Sequence, residues 1–160
     1  MSFYEEEAVG WRYAVCLRED DVPFGYVGIG EGESHDTGWG MLPDFWGHGY
    51  ITEAARAMVD RAKTDGLPFL TATHDRNNPR SGRVMQRLGM TYCYSYVEQW
   101  QPKDFPVVFR MYQLNLNGQH PVYGKYKEMY PENFVETPDP AEQVNAFPLD
   151  KIRLYGRMER

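Results

Sequence analysis

The spacing of apolar and polar positions changes several times along the chain, and each change marks a different element. From Trp11 to Arg18 the run Trp-Arg-Tyr-Ala-Val-Cys-Leu-Arg is dense in strand-forming side chains. Glu19, Asp20 and Asp21 interrupt it and Val22 to Ile29 resumes it, which predicts a hairpin. A third apolar stretch, Gly38 to Leu42, runs into Pro43 and then into the pliable Trp46-Gly47-His48-Gly49. Beyond it, Ile51, Ala54, Ala55, Met58, Val59 and Ala62 fall on the i, i+3, i+4, i+7, i+8, i+11 stripe of an amphipathic helix, with Gly66 where a C-terminal cap is wanted. Phe69 to Thr73 reads as a short, mostly buried strand. A second helix, roughly Pro79 to Leu88, is predicted from Asn78 as cap, Pro79 at the first position and Gly89 as terminator. Strand-like runs Met90 to Trp100 and Val107 to Leu116 flank a turn at Gln101-Pro102-Lys103-Asp104. The expected order is strand, strand, strand, helix, strand, helix, strand, strand.

Past Asn117-Gly118 the pattern dissolves: Tyr123, Tyr126 and Tyr130 punctuate a polar stretch, and Glu136 to Pro148 is acidic and carries prolines. This predicts a domain over residues 1–116 and an extended C-terminal extension over 117–160, with a short helix as the reading of Asp150 to Arg160.

A length of 160 residues suits one ordinary domain with its own core. Mean hydropathy of -0.64 leaves no place for a membrane span, and a net charge of -6 gives no general cationic surface for nucleic acid. Cys16 and Cys93 stand far apart in apolar stretches, so buried free thiols are expected rather than a disulfide or a CxxC site. The opening Met-Ser-Phe-Tyr-Glu-Glu-Glu has neither the basic nor the apolar region of a secretion signal, and a cytoplasmic protein is the expectation.

Gly25, Gly28, Gly30 and Gly32 imitate a dinucleotide fingerprint, but no helical pattern follows them, so they read as glycines of a twisted hairpin. No Gly-Lys-Ser/Thr follows Gly47, and His35, His48, His74 and His120 lack ligand spacing, so no metal is expected. The turn Trp46-Gly47-His48-Gly49-Tyr50-Ile51 is more informative. It joins a strand to a helix N-terminus, where backbone N–H groups and the helix dipole favour an anion and glycine permits close approach; a merely tight turn is the alternative. Arg76, Arg80, Arg83 and Arg87 recur at spacings of four, three and four, a basic stripe that is either a solvated face or, beside such a turn, part of a polyphosphate site.

These residues carry a family likeness. Trp39 to Ala54, and within it Trp46-Gly47-His48-Gly49-Tyr50-Ile51-Thr52-Glu53-Ala54, resembles the cofactor segment of the GNAT superfamily of acetyl-CoA dependent N-acetyltransferases, more narrowly its RimJ/RimL branch. Asn78 to Met90 is similar to that branch's Asn-x-x-Ser motif. The likeness spans roughly Trp11 to Leu116. Ile51 stands where relatives have Gly or Ala, and Val108 where an Asp usually precedes the strand's Tyr, here Tyr112. It implies an α/β (α+β) fold with a mixed, mostly antiparallel central sheet and flanking helices, and a chain that starts after the family's first strand and two helices.

For chemistry, the likeness implies acetyl-CoA as co-substrate and an amine acceptor. Backbone N–H groups near Met41 and Leu42 would face pantetheine and thioester, the amides of Gly47, His48, Gly49, Tyr50 and Ile51 would hold the pyrophosphate, and Trp46 and Thr52 would be further cofactor-binding residues. Asn78, Ser81, Arg83 and Arg87 would add contacts from the second motif. Glu98 is the first candidate base, with an exposed edge carboxylate as the other reading; Glu33 and Asp36 are reserves. Ser81 would protonate the leaving thiolate, or else bond to backbone in the first helical turn. Direct attack by a protein N-terminus or small-molecule amine is the leading activity; the alternatives are a catalytically silent acetyl-CoA binding module and a purely structural role. An uncovered sheet edge is a liability, so it should be closed by Gln119 to Phe134 or by a homodimer partner, the later tail offering only Phe147, Ile152, Leu154 and Tyr155 as an apolar anchor.

Overall fold

A computed structural model of the chain describes residues 10–137 and 152–155. In chain order the elements are β1 (Trp11–Leu17), β2 (Pro23–Ile29), β3 (Thr37–Met41), a 3-10 turn at Pro43–Phe45, α1 (Tyr50–Thr64), β4 (Phe69–Asp75), α2 (Pro79–Arg87), β5 (Thr91–Trp100), β6 (Phe105–Asn115), α3 (Lys125–Met129), β7 (Asn133–Phe134) and β8 (Ile152–Tyr155). As far as β6 the order is the one the periodicity predicts. The fold is mixed α+β with antiparallel sheets, and its described residues form two compact units, 10–67 with 152–155, and 68–137.

In the first unit the sheet runs β3-β2-β1-β8, all pairs antiparallel. Tyr13 pairs with Val27 and Val27 with Trp39, so Val15, Val27 and Ile29 share one face, and α1 packs on that sheet with Ala54, Ala55, Met58 and Ala62. All seven are nearly or fully buried, each larger side chain contributing about 1.5–3 kcal/mol. The alanines let the helix axis come close. On the opposite face β2 and β3 approach tightly. A Cβ on Gly40 would lie 2.6 Å from the Tyr26 ring, which is the packing reason for a glycine there.

β8 corrects the reading of the tail as a short helix. Ala14, Val15, Cys16 and Leu17 pair with Tyr155, Leu154, Arg153 and Ile152, so this segment, and not Gln119 to Phe134, covers the edge of β1. Ile152 is 5% exposed, and its backbone is held from both sides: its N–H donates to Glu53 Oε1 at 3.1 Å, and its carbonyl accepts from Arg18 Nε at 3.1 Å. Phe147 lies outside the described residues.

The second unit has the order β4-β6-β5-β7. Between Tyr92 and Tyr94 the β5–β6 register slips at a bulge, which leaves Tyr92 on one face with Ser95, Arg110 and Tyr112, while Tyr94, Tyr96 and Glu98 lie on the other with Phe109 and Met111. The second face is aromatic. Tyr96 stacks on Tyr130 (4.8 Å) and Tyr126 (5.4 Å), and the Tyr94 hydroxyl donates to Tyr123 O at 2.7 Å. Residues 117–134 are therefore packed structure containing α3 and β7, where the sequence predicts an extended tail. Cys16 is a buried free thiol as expected; Cys93, at the bulge, is also free but only half-buried.

Candidate functional site

β3 is the edge strand of its sheet, and its hydrogen-bond phase decides what it offers. Leu42 N–H donates to Phe24 O at 2.9 Å, so the amides of alternate residues point to β2 and those of Trp39 and Met41 point outward. The pair of amides expected at Met41 and Leu42 thus becomes Met41 alone at this end of β3. Leu42 itself is 57% exposed.

The chain then turns sharply into α1. Phe45 stacks on Phe24 at 4.2 Å, and Trp46 Nε1 donates to Met41 O at 3.1 Å, pinning the indole against the strand end. Gly47 (φ 81) and Gly49 (φ 78) are both left-handed, a conformation that costs other residues about 1 kcal/mol or more. A Cβ on Gly47 would meet nothing within 4 Å, so its face is open. Gly49 takes the N-cap position with no side-chain cap bond, and its carbonyl accepts Glu53 N–H at 3.1 Å. The first-turn amides of Tyr50, Ile51 and Thr52 precede that bond, and the helix dipole adds positive potential there. The side chains of Ile51 and Thr52 are buried, so these two residues offer only backbone; His48 and Tyr50 stack at 5.2 Å beside the turn. An anion is the ligand this geometry accommodates.

In the second unit α2 packs on β4 through Gly82, whose Cβ would fall 2.7 Å from His74 Nε2. Asn78 occupies the N-cap position without a side-chain cap bond, contrary to the expectation that it caps; its N–H donates to Asp75 O at 2.8 Å. Ser81 is half-buried in the first turn of α2. Of the basic stripe, Arg80 and Arg83 are exposed and Arg87 is half-buried, its pKa lowered by burial first and by the charge of Arg83 second. Arg76 leaves the stripe: its Nη1 binds Glu136 Oε1 at 3.0 Å.

The candidate bases are dispersed. Glu98 shares the aromatic face with Tyr130, whose hydroxyl is raised in pKa by burial, then by the charge of Glu98 and a hydrogen bond to it. Ser81 belongs to the helix on the opposite face, where His74, Tyr112, Arg110 and Ser95 lie, so the sheet separates the two. Glu33 and Asp36 sit in the β2–β3 turn, at the other end of β3 from Met41, Asp36 about 17 Å away at 3.4 Å per residue.

Sequence reasoning missed one buried polar cluster. Glu136 Oε2 accepts from Arg110 Nε at 2.6 Å and Ser95 Oγ at 2.8 Å, and Glu136 N–H donates to the Tyr92 hydroxyl at 3.0 Å. Burial would raise this carboxyl, but the hydrogen bonds from Arg110, Ser95 and Arg76 outweigh it and bring its pKa down to about 2. Nothing in an acidic, proline-bearing tail singles out Glu136. Among the described residues there is no group of three His, Cys, Asp or Glu able to hold a metal, and no helix long and apolar enough to cross a membrane.

Several known proteins resemble this chain. The chain is 32% identical over 84 residues to an uncharacterized N-acetyltransferase of Bacillus subtilis, covering 49% of each, so it spans about half the length of that curated relative. Among solved structures it resembles a GNAT-family acetyltransferase of Bacillus anthracis (25% identity, TM-score 0.58, 65% of each chain). It also resembles a Salmonella typhimurium protein assigned as an acetyltransferase and solved with its cofactor acetyl-CoA (20% identity, TM-score 0.58, 68% of each chain). The acetyltransferase (GNAT) domain model matches residues 2–91, which include β1 to β4, the glycine turn and the whole of α2. With that match spanning more than half of its length, the chain belongs to the GNAT acetyltransferase domain family.

Proposed function

We propose that this protein binds acetyl-CoA and transfers its acetyl group to a primary amine, a protein N-terminus or a small molecule, by direct attack in a ternary complex. The observation that carries this reading is the turn from Trp46 to Thr52: two left-handed glycines, no side-chain cap, and consecutive helix-start amides beside an outward Met41 N–H. Gly47 to Thr52 would hold the pyrophosphate, and Met41 N–H would polarise the thioester carbonyl, a contribution worth ~3 kcal/mol per donor in other acyl transfers. Asn78, Ser81, Arg83 and Arg87 are assigned as further cofactor contacts on motif likeness. The RimJ/RimL branch and a cytoplasmic location belong to the same proposal.

The amine is mostly protonated near neutral pH and must lose a proton before it attacks. Its lone pair then forms the C–N bond, the C–S bond breaks, and the thiolate takes a proton for which Ser81 is the proposed donor. Glu98 is the proposed base, acting through water. Because the sheet separates them, the two cannot serve one reaction centre, and Ser81→Ala and Glu98→Gln decide which of them acts: loss of the base lowers kcat and shifts its pH profile, whereas loss of the thiolate donor lowers kcat without moving the acid limb of that profile.

Calorimetry with acetyl-CoA and free CoA, followed by thiol release across a panel of amines, tests the whole. The separation of Ser81 from Glu98 favours one second reading, a catalytically silent acetyl-CoA module. Binding without amine-dependent thiol release would select it, and absence of CoA binding would reject both.

A further inference from the structure

We infer that Glu136 is a positioning residue, a latch at the end of a strap that wraps the second sheet and fixes the chain's entry into α2. The inference rests on the proposed role of Ser81 in that helix. The strap begins on the aromatic face, where Gln113 holds it by accepting Tyr123 N–H (2.8 Å) and donating to Pro121 O (3.0 Å), and where Tyr126 and Tyr130 stack on Tyr96. It crosses the outer edge of β5 as β7, pairing Phe134 with Ser95 and Asn133 with Tyr96, while Val97 N–H donates to Glu132 O at 2.9 Å. Two residues later Glu136 has reached the opposite face, the one on which α2 packs.

There its carboxylate is shared between two kinds of partner. Oε2 is anchored to the sheet by Arg110 and Ser95; Oε1 reaches out to Arg76, three residues before Pro79 opens α2. Arg76 is tied at its backbone as well, its N–H donating to Val108 O at 2.9 Å. Asp75 Oδ1 accepts Asn77 N–H at 2.8 Å, so the β4–α2 connection is a short, internally bonded link, tethered by the Arg76 side chain to Glu136. Glu136 also offsets the charge of Arg76 and Arg110 on the Ser81 face. A carboxylate held by charge-assisted bonds at 2.6–3.0 Å suits a fixed anchor rather than a plug that a ligand would displace.

The test compares wild type, Glu136→Gln, Arg76→Ala and their double mutant, each with and without Ser81→Ala, against Arg61→Ala, which breaks an exposed ion pair of the first unit. If Glu136 positions Ser81 through Arg76, Glu136→Gln should lower kcat roughly tenfold to a hundredfold with a much smaller change in KM for acetyl-CoA. Arg76→Ala should reproduce the loss, the double mutant should be no worse, and in the Ser81→Ala background the effect should vanish. A loss of thermal stability with unchanged kcat, or an equal loss of kcat with and without Ser81, overturns the inference. Amide hydrogen exchange over residues 76–82 supplies a readout that needs no activity: it should quicken about tenfold in Glu136→Gln and not in Arg61→Ala. Were wild type to show no acetyl transfer, the functional reading would fail while exchange still decided whether Glu136 holds the entry to α2; unchanged exchange would overturn it. Should Glu136→Gln not fold, Arg76→Ala, 44% exposed, carries both measurements.

Discussion

Substituting Gly47 separates backbone strain from ligand contact. Its φ of 81 lies where an L side chain costs about 1–2 kcal/mol, while a Cβ there would meet no atom within 4 Å. Gly47→Ala should therefore destabilise the apoprotein by strain alone, about 1–2 kcal/mol, or ~2–8 °C in Tm for a chain of this size. Asn tolerates the left-handed region better, so Gly47→Asn should recover most of that loss. Both side chains project into the open face where the pyrophosphate is proposed to lie, and both should weaken acetyl-CoA binding by at least ~1.4 kcal/mol, or tenfold in Kd. The assay is thermal unfolding of the apoproteins together with calorimetric titration of acetyl-CoA. If Gly47→Asn binds the cofactor as tightly as wild type, the phosphates do not rest on this turn and the placement is wrong.

Other outcomes follow from the second unit. Glu136, with its folded pKa near 2 against an ordinary 4.5, contributes stability that is complete above about pH 4.5 and lost as pH falls through about 2; Glu136→Gln should remove on the order of 3 kcal/mol at neutral pH and flatten the acid limb of urea midpoints. Gly82→Ala should cost about 1–3 kcal/mol because its Cβ would sit 2.7 Å from the buried His74 ring, whereas Gly30→Ala, with 3.7 Å to its nearest atom, should cost less; denaturant midpoints compare the two.

The elements that sequence periodicity located are those whose stabilising contacts repeat within the element. The α1 stripe and the β1–β2 hairpin are examples, and Pro79 marked the start of α2 because its missing N–H costs nothing there. What escaped was set by partners distant in sequence. β8 is four residues of an otherwise polar tail, a strand only because the edge of β1 accepts it. The bulge at Cys93 is invisible to alternation: counted by twos, Tyr92 should share a face with Tyr94 and Glu98, yet the extra residue turns it to the side of Ser95 and Arg110. The same limit applies to Leu42, since which amides of an edge strand point outward depends on pairing phase, and no residue type encodes that. The candidate site was legible at the glycine turn, where conformation is written in residue identity, and illegible at Glu136, whose meaning comes from Arg76, Tyr92, Ser95 and Arg110, all distant in sequence.

The placement of β8 has a consequence for biosynthesis. Arg18 and Ile152 are 134 positions apart yet bonded, so the outer edge of β1 leaves the ribosome long before its partner strand exists. Through that interval β1 presents unpaired N–H and C=O groups beside the apolar Val15 and Leu17, the kind of template that recruits strands from other nascent chains. Closure over so long a loop is also slow relative to hairpin formation. Translation speed over the codons between β1 and β8, and chaperone occupancy during that interval, should therefore govern the yield of native protein more than the stability of the finished fold does.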